Sequence, residues 1–214
     1  MIPLSEPQRW MRLITSCQKL SQTFPWVSEA TKIGSDIFLI IYPIFLTAFY
    51  LYGVAKKKEE AKVGALFIFL SCGISLLVNI GIQTIFIKSR PLVQLMNAEV
   101  HETFLHKFLP ESSFPSDHAV VGMSIAIATL LWGIKSKNKK LIWFSIFLLI
   151  CAVIMGVSRV FTIVHRPSDI LWGFLVGIIV PVILYRNAIF AKMKRWLIAP
   201  LIQFQEWLFW LFSK

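Results

Sequence analysis

The chain has 214 residues, 57% of them hydrophobic and 15% charged, and its mean hydropathy is +0.70. Ordinary soluble domains are about 25% charged, so the composition excludes a typical soluble enzyme, and the apolar content excludes a disordered chain. The formal charge of +11 comes from 22 Lys plus Arg against 11 Asp plus Glu. In so apolar a chain this excess points to membrane topology and anionic phospholipids as partners, not to nucleic acid.

In chain order, residues 1–33 carry polar groups throughout and lack the short apolar core of a secretory signal. Trp10, Leu13, Ile14, Cys17, Leu20 and Phe24 recur at helical spacing, with Arg12, Ser16, Lys19 and Thr23 on other faces. The pattern predicts an N-terminal interfacial helix within residues 9–31, packing against a bundle being the alternative. Apolar runs then predict membrane spans at 34–54, 64–87, 118–134, 141–157 and 170–185. A helix needs about 20 residues to cross the hydrocarbon. The third and fourth runs are close to the short limit, so polar residues at their ends must enter the membrane zone. Residues 196–214 carry Trp196, Leu197, Trp207, Leu208, Trp210 and Phe212 around Gln203, Gln205 and Glu206. They predict a surface-lying tail, with a membrane-inserted sixth crossing as the alternative. The expected fold is all-α, a polytopic membrane helix bundle forming one domain over 1–214.

Lys56, Lys57, Lys58 and Lys62 crowd one connection, Lys135, Lys137, Lys139 and Lys140 another, and Arg186, Lys192, Lys194 and Arg195 follow the fifth run. Five spans put all three groups on one side, which the positive-inside rule makes cytoplasmic. Residues 88–117 and 158–169 then face outward. Cys17, Cys72 and Cys151 have no close partners in sequence and read as free thiols.

Three polar stretches share that outer face: Lys88-Ser89-Arg90-Pro91, Ser113-Phe114-Pro115-Ser116-Asp117-His118-Ala119, and the run from Ser158 to Asp169. They bring together two histidines, arginines, a lysine and two aspartates. Such donors suit phosphate oxygens, and a helix start completes an anion cradle. Arg90 alone could snorkel to anchor a helix end, and His118 alone could be a structural group. The i,i+4 spacing of His165 and Asp169 allows a carboxylate to orient an imidazole if the segment is helical. A metal site lacks a convincing third ligand. The set predicts a nucleophilic histidine and an acid histidine around a phosphoryl group, without deciding which histidine attacks.

The motifs resemble those of the type 2 phosphatidic acid phosphatase superfamily. Ser158-Arg159, five residues, His165, three residues and Asp169 form one motif; Pro115-Ser116-Asp117-His118 forms the second; Arg90-Pro91 closes the first. The first motif's lysine is replaced by Gln83, which can donate a hydrogen bond but carries no charge; Lys88 is the candidate substitute. The resemblance implies His165 as nucleophile, Asp169 as its orienting partner and His118 as general acid. It makes Arg90 and Arg159 phosphate ligands, assisted by Ser116 and the backbone near Asp117, with no metal or other cofactor. The aspartate-containing form Phe114–His118 resembles bacterial undecaprenyl-diphosphate phosphatases. The implied setting is the bacterial cytoplasmic (inner) membrane, with a membrane lipid phosphate as substrate, no protein partner required, and the site facing outward. Alternatives are a lipid A 1-phosphatase, a phosphatidylglycerophosphate or phosphatidic acid phosphatase, a lipid phosphotransferase, and a non-catalytic lipid-binding transporter. The loop 92–112, with Glu99, His101, Glu102, His106 and Glu111, is a candidate for headgroup selection or a solvated loop.

Overall fold

The computed structural model describes residues 8–91 and 112–212. Its helices are α1 (Gln8–Thr23), α2 (Pro25–Ala55), α3 (Glu59–Ile85), α4 (Asp117–Lys135), α5 (Lys139–Phe161), α6 (Pro167–Leu184), α7 (Asn187–Met193) and α8 (Ala199–Phe212), the last two joined by a π-helical turn, Lys194–Ile198. The described residues contain no strand, in keeping with the all-α expectation. Helices α2 to α6 are long and apolar enough to cross a membrane. Ile40 and Ile44 on α2, Leu77 on α3, Ile150 on α5 and Leu171 on α6 lie on the outside of the bundle. Such a surface would drive association in water and is ordinary against lipid. Helix α4 is the exception, with 61% of its apolar window buried. It is the central helix, packed on α3, α5 and α6.

The N-terminal helix stops earlier than the 9–31 expectation. Phe24 is extended at φ −123°, ψ 97°, and Pro25 opens a new helix. Proline pushes the residue before it out of the helical region, and its missing N–H is no loss at a first helical position. Residues 25–31 therefore belong to the first span. Helix α1 packs one face on the bundle through Ile14, fully buried among Ala119, Val160, Ile163 and Ile170. Leu13 and Leu20 remain on its exposed side.

Two glycines set the closest helix contact. A Cβ on Gly173 would lie 2.8 Å from the Ser116 carbonyl oxygen, and one on Gly177 would lie 2.8 Å from that of Val120. With hydrogen at both positions, α6 approaches the backbone of α4, the small-xxx-small device of membrane helices. The Ser75 and Ser124 hydroxyls, 3.0 Å apart, join α3 to α4 in the buried interior. The close approach also lets the Ser116 N–H donate to the Asp169 carbonyl at 3.1 Å. Two of the polar stretches are thereby fixed to each other by main chain.

At the opposite end, Lys135 stacks its ammonium on Phe190 at 3.4 Å from the ring centroid. The tail folds back there. Ile198 and Ile202 are buried in the main core, Glu206 accepts from Lys62 at 2.7 Å, and Tyr50 donates to Gln205 at 3.2 Å. Gln205 and Glu206 of the tail thus meet partners on the spans. Helix α8 has 14 residues, about 21 Å of helix, and is not among the five candidate spans of the described residues.

Candidate active site

After α3 ends at Ile85, the chain runs without helix through Arg90. The Ser113 N–H donates to the Lys88 carbonyl at 2.7 Å, and Ser112 Oγ donates to the carbonyls of Phe86 (2.9 Å) and Phe114 (3.0 Å). Residues 86–89 and 112–114 are therefore held side by side just above the start of α4. The third stretch turns sharply after α5. Val164 and His165 both donate their N–H to the Arg159 carbonyl, each at 3.2 Å. Ile163 takes a left-handed φ of 61°, a strained state for a β-branched residue that costs about 1–3 kcal/mol. Its side chain is clamped in the cluster containing Ile14, so α1 helps hold the turn that presents His165.

His165 is buried, and its Nδ1 lies 2.9 Å from the Ser113 carbonyl oxygen. A carbonyl only accepts, so Nδ1 carries the proton and Nε2 keeps its lone pair. Burial holds the imidazole well below its usual pKa, and the nearby Arg90 and Arg159 charges lower it further against an opposing contribution from the Ser113 hydrogen bond. Asp169 does not hydrogen-bond His165: the nearest approach, Nδ1 to Oδ2, is 3.9 Å, beyond hydrogen-bond range. This corrects the expectation of a direct orienting carboxylate. The physical reason is local. Helix α6 starts only at Pro167, so His165 lies outside it and helical i,i+4 geometry does not apply. Asp169 Oδ2 instead accepts the Arg166 N–H at 2.9 Å, capping the first turn of α6, and Oδ1 accepts Lys88 Nζ at 2.6 Å. The buried Arg166 guanidinium donates to the Ser89 carbonyl at 2.7 Å, tying the first and third stretches together.

His118 stands in the first turn of α4 with Nε2 against the Arg159 guanidinium. Arginine has no acceptor, so this nitrogen accepts and His118 is neutral in the substrate-free arrangement. Ser116 is the N-cap of α4 but makes no side-chain cap bond. Its buried hydroxyl has no hydrogen-bond partner among the described residues. An N-terminus so arranged offers backbone and side-chain donors to an anion.

Gln83 is not placed as a phosphate ligand. It is 2% exposed, and its amide donates to Pro115 O and Asp117 Oδ1, both at 2.9 Å. Asn79, one helical turn earlier, donates to the same Asp117 oxygen at 2.6 Å. The two amides grip the Pro115–Asp117 segment beneath the helix start. Lys88 is likewise engaged with protein groups, reaching Asp169 and, at 3.1 Å, Ser168. Gln83→Leu leaves the aspartate with one amide and should lower activity roughly tenfold, the scale of about 1–2 kcal/mol for a buried polar partner lost. Gln83→Lys should bring no gain in phosphate affinity, because its ammonium would pair with Asp117. Inhibition constants for inorganic phosphate across the two variants check this; tighter binding by Gln83→Lys would count against it.

Within its polar stretch Ser113 had no assigned role, because a main-chain carbonyl carries no residue-type signal, and Asn79 was not among the candidates. The signal for Asn79 was present: a lone amide four residues before Gln83 inside an apolar run. Glu99, His101, Glu102, His106 and Glu111 lie outside the described residues.

Two histidines, arginines from separate segments and an open helix N-terminus gather at one end of five apolar spans. That combination defines an integral-membrane enzyme acting on lipid phosphates. The sequence pattern of the PAP2 superfamily matches residues 64–192, more than half of the chain, and the protein belongs to that superfamily. It is similar to YbjG from Escherichia coli (strain K12), provisionally named an undecaprenyl-diphosphatase, with 30% identity over 72% of this chain and 70% of that protein. The undecaprenyl-diphosphatase BcrC of Bacillus subtilis (strain 168) is 28% identical over 69% of this chain and 68% of its own length. In fold, the chain is similar to the crystal structure of a transmembrane PAP2 type phosphatidylglycerolphosphate phosphatase from Bacillus subtilis, with a TM-score of 0.55, 24% identity, and coverage of 89% of this chain and 90% of that one. The protein is a membrane lipid phosphatase.

Proposed function

We propose that the protein hydrolyses the terminal phosphate of undecaprenyl diphosphate through a phosphohistidine at His165. The observation that carries the chemistry is the 2.9 Å approach of the buried His165 Nδ1 to the Ser113 carbonyl oxygen, which calls for a proton on Nδ1 and leaves Nε2 as the nucleophilic atom. In the first step Nε2 attacks the terminal phosphorus as the bond to the bridging oxygen breaks, and undecaprenyl phosphate departs. Arg159 moves from His118 to the phosphoryl oxygens, joined by Arg90, Ser116 and the N–H groups at the start of α4. His118, relieved of the guanidinium, takes up a proton from solvent on Nε2 and delivers it to the departing oxygen. In the second step His118 accepts a proton from water, the water oxygen attacks phosphorus, the N–P bond breaks, and inorganic phosphate leaves with His165 restored. The arginines supply the charge stabilisation that a metal provides elsewhere, so the reaction needs no divalent ion.

The substrate assignment is supported by the names of the two relatives and by the Pro115-Ser116-Asp117-His118 form of the second motif. An outward-facing site in a bacterial cytoplasmic membrane is supported by the lysine-rich connections at the opposite end of the bundle. The purified protein in vesicles should release phosphate from undecaprenyl diphosphate with a higher kcat/KM than from phosphatidylglycerophosphate, phosphatidic acid or a lipid A 1-phosphate, and EDTA should leave that rate unchanged. A short-chain prenyl diphosphate given to intact cells should be hydrolysed without permeabilisation. Preference for another headgroup, strict dependence on a divalent ion, or transfer to a lipid acceptor without free phosphate would each overturn the corresponding part.

A further inference from the structure

We propose that Lys88 is a positioning residue that competes with His165 for the Asp169 carboxylate, leaving the imidazole to the Ser113 carbonyl. The geometry is direct. Lys88 Nζ sits 2.6 Å from Asp169 Oδ1, with both side chains almost wholly buried, and 3.1 Å from Ser168 Oγ. Its ammonium lies 5.2 Å from the centroid of the Phe114 ring. The other carboxylate oxygen holds the Arg166 N–H and stops 3.9 Å short of His165 Nδ1. Both oxygens are thus engaged away from the imidazole, while Ser113 takes the Nδ1 proton at 2.9 Å.

A carboxylate neutralised by an ammonium has little field left for a neighbouring imidazole. Freed of Lys88, Asp169 would attract the Nδ1 proton and stabilise the imidazolium, as an opposite charge at short range does. The charged and titratable groups acting on His165 are Arg90 on the segment after α3, Arg159 at the end of α5 and His118 on α4, with Asp169 3.9 Å away and Lys88 and Arg166 gathered on that carboxylate. All but Asp169 are cationic or neutral. The carboxylate is therefore the single group in this set able to favour the protonated ring, and Lys88 is what occupies it. This residue thus keeps His165 in its unprotonated form without binding substrate itself. In sequence it is a lysine near the first motif; in space its partner comes from the third.

The test reads the His165 ring directly, by NMR titration of isotopically labelled histidine in the purified full-length protein in lipid nanodiscs. The resonance is assigned by its loss in His165→Asn. Lys88→Met should raise the His165 midpoint by about one pH unit, and Lys88→Gln should move it in the same direction. Lys88→Arg, which preserves the ion pair, should hold the wild-type midpoint. In an Asp169→Asn background, Lys88→Met should have at most a small effect. An unmoved midpoint in Lys88→Met or Lys88→Gln overturns the proposal. So does an equal rise with and without the Asp169 carboxylate, which would make Lys88 a simple nearby charge. The kinetic arm alone rests on the nucleophile assignment above: the acid limb of phosphoenzyme formation should move with the NMR midpoint. If the midpoint moves and the limb stays, Lys88 has the role argued here and His165 is not the nucleophile.

Discussion

His165→Ala should lose on the order of 10⁵-fold or more in turnover, the scale of removing a covalent nucleophile, and should form no acid-labile phosphoenzyme. The loss follows from the site's construction. The Ser113 carbonyl and the turn anchored on Arg159 O present this one imidazole to the open start of α4, and no other described histidine shares that environment. His118→Ala should retain the phosphoenzyme with activated leaving groups, since the attacking nitrogen remains. The pH dependence has a definite sign. Burial first, and then Arg90 and Arg159, lower the pKa of His165, so the unprotonated nucleophile persists below the ordinary value of about 6.5. The acid limb of phosphoenzyme formation should accordingly fall below that pH. Stability runs the same way. Below about pH 6.5 the unfolded chain binds a proton here that the folded protein refuses, so acidification destabilises the fold. Rapid-quench labelling across pH checks the kinetics; a phosphoenzyme in His165→Ala would remove the basis of the mechanism.

The five spans were legible because hydropathy responds to composition over about 20 residues, and lipid exposure demands that composition whatever the detailed packing. The break between α1 and α2 was also written locally, at Phe24–Pro25, but the amphipathic periodicity continuing through Phe24 masked it. The site was legible at the level of which residues meet, since the motifs carry them. How they meet was not. Helical spacing suggested that His165 reaches Asp169. That inference assumes helix where there is none. Helix α3 ends at Ile85 and α6 begins at Pro167, so the residues that matter lie in irregular backbone to which the 3.6-residue period does not apply. The partners of Gln83 and Lys88 are long-range ones, 34 and 81 positions away in sequence. The Gln83 contact joins α3 to α4, while the Lys88 contact reaches α6, whose close approach to α4 Gly173 and Gly177 permit.

Arg159→Ala should lower kcat/KM by about 10²–10³-fold, the usual effect of deleting one preorganised donor to a developing oxyanion. The proposed mechanism gives this residue two tasks at different moments. Without substrate its guanidinium contacts His118 Nε2; on phosphate binding the mechanism draws the fork to the phosphoryl oxygens. Removing it should therefore raise KM through the lost phosphate contact and lower kcat through the equatorial charge left uncompensated. Arg159→Lys retains a point charge but not the planar fork that can span two oxygens, and should recover only about a tenth to a hundredth of the wild-type rate. Because the guanidinium also keeps a proton off His118 until phosphate binds, its removal eases protonation of His118, so the losses should be no greater for poor leaving groups than for a nitrophenyl phosphate. Steady-state kinetics on matched substrates, with circular dichroism to establish that the bundle is folded, make the comparison. Wild-type kcat/KM in Arg159→Ala would show that the phosphate is bound elsewhere, and a clearly larger loss for poor leaving groups would show that Arg159 assists proton delivery by His118 instead of opposing it.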